Sequence, residues 1–272
     1  MNPDTLSASA WALLLTAAFI QGVAKAGVPG LAILAIPLVA QAIPGRASTG
    51  LILPMLILGD LFAVGYWRRA ANWRDLRRAL PWALAGIVAG YLLLNHIRDE
   101  WMRPLIGAII LAILLLHLLQ NSLAPLLAKL GTTATAEAPD ATADSATAPK
   151  TKAKARLFAA FMGTTGGITT MLANAAGPVM SLYFLALRLP KATFLGTSAW
   201  FFLIVNWTKV PFMAHRGMIT IPSLKLNLLM APALILGAIL GIHVAKRLPE
   251  KAFARIVLLL TAASALKLLL LP

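Results

Sequence analysis

The chain has no cysteine. That excludes a disulfide framework, a thiolate zinc site and a cysteine nucleophile. Charge is scarce too: only 12% of the 272 residues are charged, about half the share found in soluble domains. Acidic groups are the scarcest, nine against 24 Lys and Arg. The four histidines (96, 117, 215 and 243) are far apart and form no His-x-x-x-His pair, so nothing suggests a metal centre. No phosphate-binding loop, no Gly-x-Gly-x-x-Gly after a strand and no nucleophile elbow is present. The usual polar cluster for acid–base catalysis is absent as well. An enzyme is not expected, nor is any cofactor.

Apolar residues are abundant, at 60% of the chain with a mean hydropathy of +0.82. This rules out a disordered tail protein, because low hydrophobicity and dense charge are what keep a chain unfolded. The composition is that of an all-α polytopic membrane protein in contact with the lipid bilayer. The formal charge of +15 does not point to nucleic acid, since no basic stripe or RNA-binding motif accompanies it. The basic residues instead lie mainly in short loops between apolar runs, where the positive-inside bias accounts for them. Residues 1–9 carry no basic region ahead of the first apolar run, so this end reads as a transmembrane start and not a cleaved signal.

A spanning helix needs about 20 mainly apolar residues. The stretches 47–67, 79–95, 103–120, 192–214, 223–245 and 252–271 meet that length. Two others do not fit. Residues 10–42 are interrupted at Lys25-Ala26-Gly27-Val28-Pro29-Gly30, and 157–187 at Gly166-Gly167 and Asn174-Ala175-Ala176-Gly177-Pro178. Each is too long for one straight crossing and too short for two, which suggests a broken or re-entrant helical hairpin. A polar stretch, 132–154, reads as a flexible cytoplasmic linker with no fold of its own. The expected division is a first transmembrane repeat at 1–130, a linker at 131–154 and a second repeat at 155–272. Each repeat would run broken hairpin, span, span, span.

The halves share residues in the same order. Pro81-x4-Gly86-x3-Gly90 matches Pro232-x4-Gly237-x3-Gly241, and Lys25-x3-Pro29 matches Asn174-x3-Pro178. An internal duplication is the simplest reading. Arg68, Arg69, Arg74, Arg77 and Arg78 mark one loop as cytoplasmic. If both hairpins re-enter, Arg188, Lys191, Lys246, Arg247, Lys251 and Arg255 share that side and the repeats are inverted. If each crosses once, those six fall outside. The inverted arrangement places more cations inside and is preferred.

The breaks are the strongest candidates for function. Helix-breaking backbone at membrane depth survives only where protein or a watery cavity satisfies it. A helix starting there aims free N–H groups and a partial positive charge into the cavity, where an anion can be held. Discontinuous helices at matching places in two repeats mark a transporter's binding site, although kinks for helix packing would leave the same trace. Lys25, at the first break, needs a carboxylate, backbone carbonyls or a bound anion as partner, unless it snorkels to a surface. Asp60 is the only acidic residue inside any span. It is either a proton acceptor that couples transport to protons or a fixed counter-ion to Lys25 or Lys209. Asn206 lies at the depth of Asp60 in the other half, and Asn174 stands where Lys25 does; asparagines in bundles also simply bridge helices. Trp200, Phe201 and Phe202 read as lipid- or core-facing.

These residues resemble a known family. Phe19-Ile20-Gln21-Gly22 through Gly30, Arg46-Ala47-Ser48-Thr49-Gly50, Leu53-Pro54 and Gly59-Asp60 are similar to the first signature of the TauE/SafE sulfite-exporter family. Ala173 to Pro178, Gly196 to Phe202 and Asn206 to Pro211 resemble its second. The commoner family pattern has three consecutive glycines where this chain has Lys25 to Gly30. The resemblance implies export or exchange of small sulfur-containing anions or organic acids across a bacterial inner membrane, with the anion held between two halves. The expected anion shell is Lys25, Gly27, Gly30, Asn174 and Gly177, completed by Thr197 and Asn206. Asp60 and Lys209 are the coupling or counter-ion pair. A passive anion channel and a membrane partner subunit without flux of its own are the competing readings.

Overall fold

In a computed structural model, the described residues are 6–29, 31–43, 46–93 and 149–270, together with positions 108, 111, 112 and 115. Gly30, most of the span 103–120 and the linker up to residue 148 lie outside them. Among the described residues there is no strand. The helices are α1 (Ala8–Ala26), α2 (Ala32–Ala42), α3 (Arg46–Trp67), α4 (Trp73–Leu93), α5 (Pro149–Ala173), α6 (Ala176–Ala186), α7 (Lys191–His215), α8 (Ile221–Arg247) and α9 (Glu250–Leu270). By length and hydropathy Ala8–Ala26, Gly50–Ala70 and Ile221–Arg247 qualify as membrane spans. The chain is an all-helical integral membrane protein.

Both breaks fall where Gly, Pro and Asn interrupt the apolar runs. The first hairpin is α1 with α2 folded back along it, and the second is α5 with α6. The arms are unequal. α1 has 19 residues and qualifies as a span by itself, and α5 has 25, whereas α2 and α6 have 11 each. Eleven residues rise about 16 Å, roughly half of a ~30 Å hydrocarbon core. α5 also starts at Pro149, inside the stretch taken from composition as an unstructured linker. Its Lys150, Lys152 and Lys154 are good helix formers, and they continue the turn of the apolar segment that follows.

Capping separates the two kinds of helix start. α1 opens on Ser7, whose hydroxyl accepts from the Ala10 N–H, and α8 opens on a reciprocal Thr220/Ser223 capping box. α2 and α6 have no side-chain cap. Their first N–H groups also have no partner within their own helix.

The halves are held together by exchange. α1 packs along α8, and α5 along α4. Glycine makes both seams possible: a Cβ on Gly237 would collide with the Phe19 carbonyl, and one on Gly86 with that of Thr164. These are the glycines of the repeated Pro/Gly pattern, and packing through small residues is the usual source of helix association in lipid. α3 and α7 cross centrally and run antiparallel. Gly50 abuts Met218, Asp60 bonds to Asn206, and Gly196 abuts Trp67 and Ala71. Two further bonds join the halves reciprocally. The Asn72 N–H donates to Thr197 Oγ1 (2.8 Å), and Asn227 Nδ2 donates to the Leu51 carbonyl (3.1 Å).

Contacts also gather the basic residues. The Lys191 N–H donates to the Glu250 carboxylate at 2.9 Å, and the Lys246 ammonium lies 4.7 Å from the Tyr66 ring centre. The end of α3, the starts of α4, α7 and α9 and the end of α8 therefore share one end of the bundle. Arg68, Arg69, Arg74, Arg77 and Arg78 stand there with Lys191, Lys246 and Arg247.

Candidate functional site

The hairpin tips meet α3 and α7 around a cavity of about 60 Å³, room for about four water-sized groups. The first hairpin contributes Ala24, Lys25, Pro29 and Ala32, and α3 contributes Leu56. The second hairpin contributes Thr170, Asn174, Gly177 and Ser181, and α7 contributes Ser198, Phe202 and Asn206.

Lys25 reaches this wall from the last turn of α1 and is only 10% exposed along its side chain, so it does not snorkel. Its Nζ lies 2.7 Å from Asp60 Oδ1 and 4.5 Å from the centre of the Phe202 ring. Gly59 makes that reach possible, since a Cβ there would lie 3.0 Å from Lys25 Cγ. Asp60 is fully buried, and its other oxygen, Oδ2, accepts from Asn206 Nδ2 at 2.7 Å. The carboxylate thus joins the first hairpin to α7 of the second half. At the break itself, the Trp67 indole N–H donates to the Ala26 carbonyl (2.8 Å), satisfying an acceptor that the interrupted helix leaves open.

The second tip is built differently. Asn174 takes a left-handed conformation (φ 53°), which asparagine tolerates better than most residues and which turns the chain between α5 and α6. Its Oδ1 accepts from Lys209 Nζ, which also donates to Thr170 Oγ1 at 3.2 Å. Lys209 is fully buried and among the described residues forms no ion pair. Asp60 is therefore in direct ion-pair contact with Lys25 and not with Lys209. Lys209 also orients what it touches: with their oxygens facing its ammonium, the Thr170 hydroxyl proton and the Asn174 amide protons are left to donate elsewhere. Both residues line the cavity.

Most of the expected shell comes together here, but two of its described members, Gly27 and Thr197, do not. Gly27 faces Gly241, whose carbonyl a Cβ would strike, and its N–H donates to the Val23 carbonyl. It serves the seam between α1 and α8. Thr197 is fully buried and accepts from the Asn72 N–H. Ser198 takes its expected place, because one residue turns a helix by about 100°. Gly30 lies outside the described residues. Ser181 and Phe202 were not foreseen. Part of the signal was in the spacing: Ser198, Phe202 and Asn206 recur at fours on α7, and Gly177 and Ser181 are four apart on α6, which keeps each set on one helix face.

The family model described as Sulfite exporter TauE/SafE matches residues 12–268. The chain belongs to the TauE/SafE family. Among curated proteins and among solved structures, nothing matches it. TauE/SafE membership carries with it membrane transport of small anions of the sulfite type, and the match spans both hairpins and the cavity between them. Thr197 does not line the cavity, and its hydroxyl holds the Asn72 N–H. Thr197→Val should cost about 1–3 kcal/mol by leaving the Asn72 N–H without its acceptor. Thermal unfolding would show the loss, while anion affinity at the cavity stays at the unsubstituted value.

Proposed function

We propose that this TauE/SafE chain is a secondary transporter that exports or exchanges small anions, sulfite or organosulfonates first, across a bacterial inner membrane. One observation carries the reading: Lys25, nine-tenths buried and paired with Asp60, lines a cavity between the hairpin tips, and a second buried ammonium, Lys209, stands behind the lining residues Thr170 and Asn174. A buried excess of positive charge is costly unless an anion joins it. The uncapped starts of α2 and α6, at Ala32 and Gly177 on the cavity wall, add N–H donors and the positive ends of two helix dipoles.

The halves act as inverted repeats in this reading. The matched helices α3 and α7 run antiparallel, and α1 on α8 mirrors α5 on α4. Rocking one half against the other about the Asp60–Asn206 crossing would then expose the cavity to each side in turn. Asp60 serves as the counter-ion that holds Lys25 in place.

The test is counterflow of labelled sulfite and short sulfonates in vesicles containing only the purified chain. Saturable uptake, accelerated by unlabelled anion on the far side, is expected. Unitary currents would replace this reading with a channel. Absence of flux from the chain alone would replace it with a partner subunit.

A further inference from the structure

Helices α3 and α8 come from opposite halves and run side by side. Near one end Asn227 of α8 bonds to the Leu51 carbonyl of α3, and at the other the Lys246 ammonium lies over the Tyr66 ring. That second end carries the basic residues. Arg68 and Arg69 follow Tyr66 in a short 3-10 turn, Arg68–Ala70, and Arg247 follows Lys246. We infer that this junction binds the phosphate of an anionic phospholipid, with Arg68 and Arg69 reaching it from the first half and Lys246 and Arg247 from the second.

Three observations lead there. The first is unpaired charge. All four cations are exposed, and among the described residues none has a carboxylate partner. The described acids at this end are Asp75 and Glu250, and both are engaged. Asp75 pairs with Arg78 at 3.2 Å and accepts from Asn72, while Glu250 accepts the Lys191 N–H. Like charges gathered at one junction repel one another, and an anionic headgroup relieves that repulsion. The positive-inside bias accounts for the side of the membrane they face; it does not account for their gathering where the two halves meet. The second observation is aromatic. Tyr66 and Trp73 are exposed at this end, and amphipathic rings of this kind sit at the level of lipid headgroups. The third is the apolar approach. Leu61 and Gly65 on α3, and Ile239 and Leu240 on α8, are exposed within two turns of the cations. A Cβ on Gly65 would meet no heavy atom within 4 Å, which leaves open space beside the helix for an acyl chain. A free phosphate makes no use of that surface, whereas a lipid does. Basic pockets between membrane helices are a recurring place for anionic headgroups.

The probe is dioctanoyl phosphatidylglycerol, titrated calorimetrically into the purified full chain in a nonionic detergent. Dioctanoyl phosphatidylcholine and inorganic phosphate are titrated beside it at matched ionic strength. The two lipids share a phosphate and their chains, but choline cancels the charge of the second. Each basic residue near a membrane surface is worth about 5-fold in affinity for an anionic lipid. Phosphatidylglycerol should therefore bind at least ~10-fold more tightly than phosphatidylcholine. Arg69→Gln and Lys246→Gln should each weaken it ~5-fold. Lys225→Gln, at an exposed cation near the start of α8 and so at the opposite end, should leave it unchanged. All three positions are exposed, so the fold withstands the substitutions. Equal affinity for the two lipids would overturn the inference. So would undiminished affinity in the Arg69→Gln/Lys246→Gln double variant. An equal loss from Lys225→Gln would also overturn it, by making the preference one of overall charge. Phosphate that binds as tightly as the lipid, and is weakened by the same two substitutions, would make this a soluble-anion site with no lipid. None of these outcomes depends on the hairpin-tip cavity, so the lipid site and the transporter reading stand or fall separately.

Discussion

Lys25→Met should abolish anion uptake and lower stability by about 3–5 kcal/mol, the cost of stranding one member of a buried ion pair. The stranded group is Asp60, fully buried with Asn206 as its remaining partner. Loss of uptake in this variant alone would be ambiguous, because an unstable chain also fails to transport. The double variant Lys25→Met/Asp60→Asn separates the two effects. It removes both charges, and an asparagine at 60 can still accept from Asn206. Replacing a buried pair by neutral groups is often close to neutral for stability, so unfolding should return towards that of the unsubstituted chain. Transport should stay absent, because Lys209 donates to Asn174 and Thr170 and cannot supply the ammonium that Lys25 brings to the cavity. Counterflow and thermal unfolding measured on both variants decide the matter. Normal counterflow in the stable double variant would remove Lys25 from the site altogether.

How far the sequence reaches depends on whether a feature is a matter of position or of direction. The breaks were legible because Gly27, Pro29, Asn174 and Pro178 interrupt apolar runs, and helix interruption is a local property. The seams were legible through the matched Gly86/Gly90 and Gly237/Gly241, although nothing in the spacing says that each pair faces the first helix of the opposite half. Depth was legible too: Asp60 and Asn206 stand at like depth in α3 and α7, and they meet. The side chain that Asp60 would choose was not. Lys25 and Lys209 are both near enough in depth, and only the azimuth of α7, fixed by its contacts with α3, turns Lys209 towards Thr170 and Asn174. Thr197 failed for the same reason, one residue out of phase with Ser198. Gly27 failed because its need for a hydrogen side chain comes from Gly241, more than two hundred residues away. The helical start at Pro149 escaped because Ala, Thr and Lys suit a linker and a helix equally well.

Gly177→Val should leave the fold intact and still stop transport. Gly177 lies in the first turn of α6 and lines the cavity, and a Cβ there meets no heavy atom within 4 Å. Its small size is therefore not required by packing, unlike that of Gly237, where a Cβ meets the backbone of Phe19. Alanine at 177 should gain up to about 1 kcal/mol in helix propensity over glycine, and valine roughly half of that. The added methyl groups enter a space that holds only about four water-sized groups. Anion affinity should weaken with Gly177→Ala and vanish with Gly177→Val, while both chains unfold at or above the temperature of the unsubstituted protein. Gly237→Ala should do the opposite, losing about 1–3 kcal/mol through overpacking of the α1–α8 seam, with the anion affinity of the folded fraction unaltered. A Gly177→Val chain that transports normally would show that the anion does not pass through this cavity. A Gly177→Val chain that is stable and inactive, beside a Gly237→Ala chain that is unstable and competent, would identify the hairpin-tip cavity as the site by function alone.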